Sequence, residues 1–191
     1  MKTLIIYAHP DTEGHCSAIL KEVQNRLISK EIEYETLDLY KMNYDPILHE
    51  SEHYTAGNRD ITEQNKEIQE KIKNTNKLIF IYPVWWGGMP AILKGFFDRV
   101  LTPEFAYKFE KGIPRRLLKG KKAVVFTTSG GPKIFHTITG DTSKKTIKNK
   151  ILEFCGIKTK VFLIDTARKI TDNQLEKIKT KVKEGLNYIY S

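Results

Sequence analysis

The chain of 191 residues is short of the features that mark several protein classes. It has only two cysteines, Cys16 and Cys155, which cannot build a disulfide framework. It has no apolar run near the roughly 18 residues needed to cross a bilayer, and its longest, Leu78 to Trp86, contains Pro83. The start, Met1 to Tyr7, lacks the small-residue cleavage site of a secretory leader and reads as a strand. Arginine is scarce, with 6 Arg against 26 Lys among 32 basic residues. Base-edge and phosphate recognition favour the planar fork of Arg, so the net charge of +9 reads as a solvated surface rather than a nucleic-acid site. Lys177, Lys179, Lys181 and Lys183 are spaced by two and spread around a helix instead of forming a stripe. With 40% hydrophobic and 29% charged residues, disorder and collagen-like repeats are excluded. What remains is one globular domain over residues 1–191, expected to be soluble and cytoplasmic, without membrane insertion.

Strand and helix signals alternate along this domain. Lys2–Ala8, Glu33–Leu39, Lys77–Tyr82, Lys122–Thr128 and Lys158–Ile164 read as strands, most of them continuous apolar runs. Between them, Ile19, Leu20, Val23 and Leu27, then Ile92, Leu93, Phe96, Phe97 and Val100, recur at helical spacing. Thr62–Asn74 and Thr146–Phe154 read as weaker helices. A last helix follows Thr171-Asp172-Asn173-Gln174, a capping-box pattern. Five such units predict an α/β fold: a flavodoxin-like, doubly wound, five-stranded parallel sheet in the order 2-1-3-4-5, helices on both faces. One connection, Tyr40–Ile61, is too long for an ordinary loop and reads as functional or interface-forming.

In such a sheet ligands bind at the carboxyl ends of the strands. Order 2-1-3-4-5 brings together the loops after strands 1, 3 and 4, which also have the oddest composition. The first, His9 to Ser17, opens a helix, where free N–H groups suit a phosphate. His9, His15 and Ser17 add polar atoms, while Asp11 and Glu13 should point away from an anion. It matches neither G-x-G-x-x-G nor G-x-x-x-x-G-K-[ST], which excludes the dinucleotide fingerprint and the P-loop. The second loop, Pro83-Val84-Trp85-Trp86-Gly87-Gly88-Met89-Pro90, sets both tryptophans of the chain beside two glycines, as a flat aromatic ligand would require. The third, Thr128-Ser129-Gly130-Gly131-Pro132, offers hydroxyls and N–H groups that stabilise negative charge. Each loop alone also reads as an ordinary turn; their convergence carries the argument.

Pro83–Lys94 (PVWWGGMPAILK), continued by Gly95-Phe96-Phe97-Asp98-Arg99-Val100 and Glu104-Phe105-Ala106-Tyr107, resembles the central signature of the NAD(P)H:quinone oxidoreductase family, the DT-diaphorase-like flavoenzymes. Tyr7-Ala8-His9-Pro10, Asp38 to Ile47, Thr128-Ser129-Gly130-Gly131, Gly140-Asp141 and Phe154-Cys155-Gly156 match in family order across about three quarters of the chain. The resemblance implies a homodimeric enzyme with shared active sites, a non-covalent flavin, NAD(P)H as donor and a quinone or similar acceptor. By position, His9, His15, Cys16 and Ser17 would hold the flavin phosphate region. Pro83, Val84, Trp85, Trp86 and Gly87 would line the ring edge, and Thr128, Ser129, Gly130 and Gly131 its pyrimidine end. Trp86, Tyr107, Phe109 and Phe135 would shape the substrate pocket, with Tyr107 and Phe109 reaching into the partner subunit. The family's Tyr and His after the Gly-Gly turn are absent: Phe135 and Thr139 fall near their places, which leaves His136 as the candidate acid. The chain also lacks the C-terminal extension of larger members, which favours FMN over FAD.

Two other readings belong beside this one. A flavin-binding regulatory or electron-carrier subunit would have the same fold. A zinc hydrolase would use His49-Glu50-Ser51-Glu52-His53, which fits H-E-x-x-H. That motif needs a helix, yet Pro46 precedes it, Gly57 and Asn58 follow, and no third ligand stands out, so no metal is expected.

Overall fold

The computed structural model describes residues 2–138 and 140–191, without the side chains of Phe135 and His136. Five strands, β1 (Thr3–Tyr7), β2 (Tyr34–Asp38), β3 (Lys77–Pro83), β6 (Lys122–Thr128) and β7 (Lys158–Ile164), form one parallel sheet in the order β2-β1-β3-β6-β7. This is the expected order 2-1-3-4-5. Alternation along the strands feeds two cores. Leu4, Ile6, Leu78, Phe80, Tyr82 and Val125 face one side with α2 (Glu63–Lys73) and α3 (Ala91–Val100). Ile5, Tyr7, Ile79, Ile81, Val124 and Phe126 face the other with α1 (Gly14–Ile28) and α7 (Asp172–Tyr190). Double burial explains why the central strands are apolar without interruption. Half of the capping box at α7 forms: the Thr171 side chain accepts the Gln174 N–H at 3.3 Å, while the Gln174 side-chain amide donates to the Asp165 and Thr166 carbonyls instead of closing the box. Helix α7 lies so close to the sheet that a Cβ on Gly185 would stand 2.5 Å from the Phe126 ring.

Two features depart from the sequence pattern. The region expected as one helix over Thr146–Phe154 begins earlier, as α5 (Thr142–Lys145). It continues as a π-helix over Thr146–Leu152 and ends as α6 (Glu153–Cys155); α4 is the short Lys133–Ile138. An antiparallel hairpin, β4 (Tyr107–Glu110) and β5 (Ile113–Arg116), stands outside the main sheet. Its strands are four residues long and β5 is exposed throughout, so it leaves no apolar periodicity to read. Its one local signal is Lys111-Gly112, both at positive φ (52° and 77°), the backbone of a type I′ turn.

The long connection lies against α3, with two 3-10 turns at Glu50–Glu52 and Tyr54–Ala56. The fit is close, since a Cβ on Gly95 would fall 2.0 Å from the Pro46 carbonyl oxygen.

Candidate functional site

The loops after β1, β3 and β6 meet at the carboxyl edge of the sheet, laced together by the Val84 N–H, which donates to the Thr128 carbonyl at 2.7 Å. In the first loop, His9 Nδ1 lies 3.0 Å from the Asp11 N and 3.3 Å from the Asp11 carbonyl oxygen, which ties the ring to this turn. The Asp11 carboxylate accepts the Glu13 N–H at 3.0 Å, on the residue that precedes α1. Gly14, at φ +87°, swings the chain into α1, which begins with no side-chain cap and no acidic residue in its first turn. The leading N–H groups therefore keep their capacity for an anion. Beside them His15 is buried, its Nε2 has no protein partner, and burial lowers its pKa below the usual imidazole value. Cys16 turns inward. Its thiol packs 3.4 Å from the Thr128 hydroxyl, and burial pushes it up to about 12, so it meets a ligand only through its backbone. The Ser17 hydroxyl donates to the Thr12 carbonyl at 2.6 Å, so its proton is already engaged.

The second loop is a tight turn. Trp85 and Gly88 exchange backbone hydrogen bonds of 3.0 and 2.9 Å, and Trp86 (φ 51°) and Gly87 (φ 74°) occupy the centre, a type I′ geometry. Type I′ turns favour Asn-Gly, and a bulky side chain there is strained by about 1–3 kcal/mol. The strain places the Trp86 indole wholly in solvent, at 105% relative exposure. Trp85 is 43% exposed, its ring 6.0 Å from that of His9. Neither indole serves the core. Pro83 is buried beneath them and Val84 is half-buried. In the third loop Thr128 and Ser129 are buried while Gly130 is open, and the Ser129 hydroxyl accepts the Gly131 N–H at 3.2 Å. Sequence reading overlooked Arg168, whose Nε donates to the Gly130 carbonyl at 3.1 Å and fixes this turn from outside.

Tyr107 and Phe109 are not part of this cluster. Tyr107 stands edge-on to Phe154 at 5.1 Å and to Phe109 at 5.8 Å, and among the described residues no ring contact joins either to the tryptophans. Tyr107 borders a cavity of about 350 Å³ with Tyr54, Phe97 and Phe154, and burial raises its phenol pKa. The expectations on His136, Phe135 and Thr139 fall outside the described residues.

The H-E-x-x-H segment has other duties. It forms no α-helix, His49 Nε2 lies 2.6 Å from the Asp45 carboxylate, and His53 Nε2 lies 2.6 Å from the Thr55 hydroxyl. Glu52, 6% exposed, is held by Arg99, 4% exposed, through Nε and Nη2 at 2.9–3.1 Å. Arg99 Nη1 also donates to the Asp45 carbonyl. Among the described residues no group of three or more His, Cys, Asp or Glu gathers as metal ligands. The signal that could have revealed this lock is one of six arginines on an apolar helix face, Phe96-Phe97-Asp98-Arg99-Val100.

The arrangement fits a flat ligand with a phosphate tail. The uncapped helix and the unpartnered His15 nitrogen would hold the phosphate, and the exposed indoles would wall the ring. The family model described as flavodoxin-like fold matches residues 1–186. A Haemophilus influenzae protein named "Uncharacterized NAD(P)H oxidoreductase" is 34% identical over 165 residues, 85% of this chain and 82% of its own. The solved structure of Smu.1420 from Streptococcus mutans UA159 has a TM-score of 0.84 at 37% identity, covering 96% of this chain and 97% of that one. The NAD(P)H:quinone oxidoreductase from Methanothermobacter marburgensis has a TM-score of 0.81 at 27% identity, covering 98% and 96%.

Proposed function

The chain belongs to the flavodoxin-like fold family, and from that premise we propose that it is a flavin-dependent NAD(P)H oxidoreductase acting on quinones or similar two-electron acceptors. The observation that carries the reading is the uncapped start of α1, with the buried, unpartnered His15 nitrogen, facing a turn strained so as to expose an indole. FMN or FAD, when bound, supplies the chemistry: it takes a hydride from NAD(P)H and passes two electrons to the acceptor. The protein's part is to bind, orient and shield. The α1 N–H groups and the His9 imidazole bind phosphate oxygens. Pro83 to Gly87 line the edge of the ring, and Trp86 covers it from water. The Thr128–Gly131 turn, open at Gly130, meets the pyrimidine end, held in place by Arg168.

Tyr107 and Phe109, away from their own cluster, complete the substrate pocket of a partner subunit in a homodimer. Donor and acceptor use one pocket in turn, so the kinetics are ping-pong. The test begins with the absorbance spectrum of the purified protein and the mass of any released flavin, which separates FMN from FAD. NADH or NADPH should bleach the bound flavin without oxygen, and a soluble quinone should restore it. A protein that binds no flavin refutes the reading. Bleaching without restoration assigns the chain to a carrier or regulatory role. Initial-rate lines that intersect instead of running parallel exclude the single pocket, and a monomer in sedimentation excludes the shared one.

A further inference from the structure

The positive charge of the chain is not evenly spread. Between Tyr107 and Lys122 stand seven basic residues and one acidic residue, a net +6 of the chain's +9. This segment is the β4–β5 hairpin and the strand that leaves it. Its single acid, Glu110, is already matched by Lys108 at 2.7 Å and Arg115 at 2.9 Å. Past Arg116 the backbone bends at Leu117 and Leu118 and turns at Lys119-Gly120, the Leu117 and Leu118 N–H groups donating to the Ala106 and Cys155 carbonyls, each at 3.0 Å. Alternation sorts the side chains within β5 alone. Arg116 lies with its Cβ against Gly156 and Leu118 is buried, so that side faces the body. Ile113 and Arg115 share the other side of β5, and Leu117 and Lys119 follow in the bend and turn, the Lys119 stem close to Gly156. Ile113 is 60% and Leu117 38% exposed, and Arg115 and Lys119 are exposed with them. A sheet face open to water normally carries polar residues alone; here two exposed aliphatic side chains, Ile113 on β5 and Leu117 just after it, stand among exposed basic ones.

We propose that this face docks the protein on an anionic bilayer surface. Ile113 and Leu117 enter the headgroup boundary, while Arg115, Lys119 and the turn residue Lys111 reach lipid phosphates. A second copy is a poor occupant, because symmetric pairing through this patch sets Lys111, Arg115 and Lys119 against their own copies. Nucleic acid would use the charge and leave both aliphatic side chains in water. The docking stands on the hairpin alone; only its consequence rests on the quinone reading. Tyr107 and Phe109 occupy the opposite side of the same hairpin, so docking brings the proposed acceptor residues to a membrane that dissolves lipophilic quinones.

Sedimentation of the full chain with vesicles tests the idea, because it reads binding without turnover. Vesicles of phosphatidylcholine with phosphatidylglycerol should bind about tenfold or more tightly than phosphatidylcholine alone, and salt near 0.5 M should release them. Arg115→Glu with Lys119→Glu should weaken binding by about tenfold or more, and Ile113→Ser with Leu117→Ser by about fivefold. Reduction of a water-soluble quinone should be unchanged in both, which confirms folded protein. No preference for anionic vesicles overturns the proposal. So does RNA binding that Ile113→Ser with Leu117→Ser leaves intact while vesicles fail to bind. If vesicles bind but no flavin chemistry is found, the docking survives and the functional reading falls.

Discussion

The central sheet and the long connection to its side are held by opposite means. Strands β1, β3 and β6 bury nearly every side chain, so their cohesion is spread over many apolar contacts of modest individual strength. The Tyr40–Ile61 segment depends on a few specific polar contacts. Arg99 grips Glu52 and Asp45, Tyr44 donates to Asn65 at 2.9 Å, and Pro46 sits on a glycine that admits no side chain. Distributed cohesion degrades gradually under substitution, whereas a buried ion pair fails at a single residue. The segment is therefore the part that one change can release while the sheet stays folded.

The largest effect should follow from cutting that pair. Arg99→Met leaves the Glu52 carboxylate buried and uncompensated, at a cost of about 3–5 kcal/mol. Adding Glu52→Gln removes the stranded charge and should restore more than half of the loss. Hydrogen exchange should show protection lost across 44–61 and retained in β1, β3 and β6. Uniform loss across the sheet would mean that segment and sheet are one cooperative unit. Next in size is Gly95→Ala, whose Cβ meets Pro46 backbone that has no room to retreat. Thermal or urea unfolding should show about 1–3 kcal/mol of destabilisation with the same local pattern.

The same contrast decides what was legible in the sequence. The sheet could be read because apolar periodicity is the signature of distributed burial: Lys122–Thr128 and Lys158–Ile164 fall on the observed strands residue for residue. The three site loops could be read because strand order forces them together. The hairpin could not, since Ile113–Arg116 has no buried face and its pairing rests on a turn spelled Lys-Gly rather than Asn-Gly. The Arg99–Glu52 lock was legible only in part: an arginine on an apolar helix face signals a buried partner, but that partner lies 47 residues away, beyond any local pattern. The fate of His49 and His53 follows from it. A motif spaced for one face of an α-helix lies on a 3-10 turn, because Glu52 is drawn to an arginine on another element.

A smaller effect, of opposite sign, is expected at the tandem indoles. Trp86→Asn gives the left-handed position a residue that tolerates it, and a fully exposed indole contributes no burial to lose. The variant should be more stable by about 1 kcal/mol in urea unfolding and should bind flavin more weakly by fluorescence titration. Greater stability with unchanged flavin affinity would mean that the strain serves something other than the ring.

The smallest effect is the most direct probe of the helix mouth. Burial disfavours the charged form of His15 and sets its pKa below the imidazole value of 6.5 that the unfolded chain keeps. Between these two values the unfolded chain takes up a proton that the folded one refuses. This contribution to stability is therefore intact above pH 6.5, falls as pH drops through 6.5, and levels off below the folded pKa. His15→Gln should flatten that limb of the stability profile. Phosphate at the start of α1 works in the other direction. A dianion beside Nε2 favours imidazolium, so FMN, or inorganic phosphate at higher concentration, should raise the His15 pKa seen in its proton NMR titration. A His15 titration that ignores both ligands would place the anion elsewhere and leave the exposed indoles without the anchor that orients a ring against them.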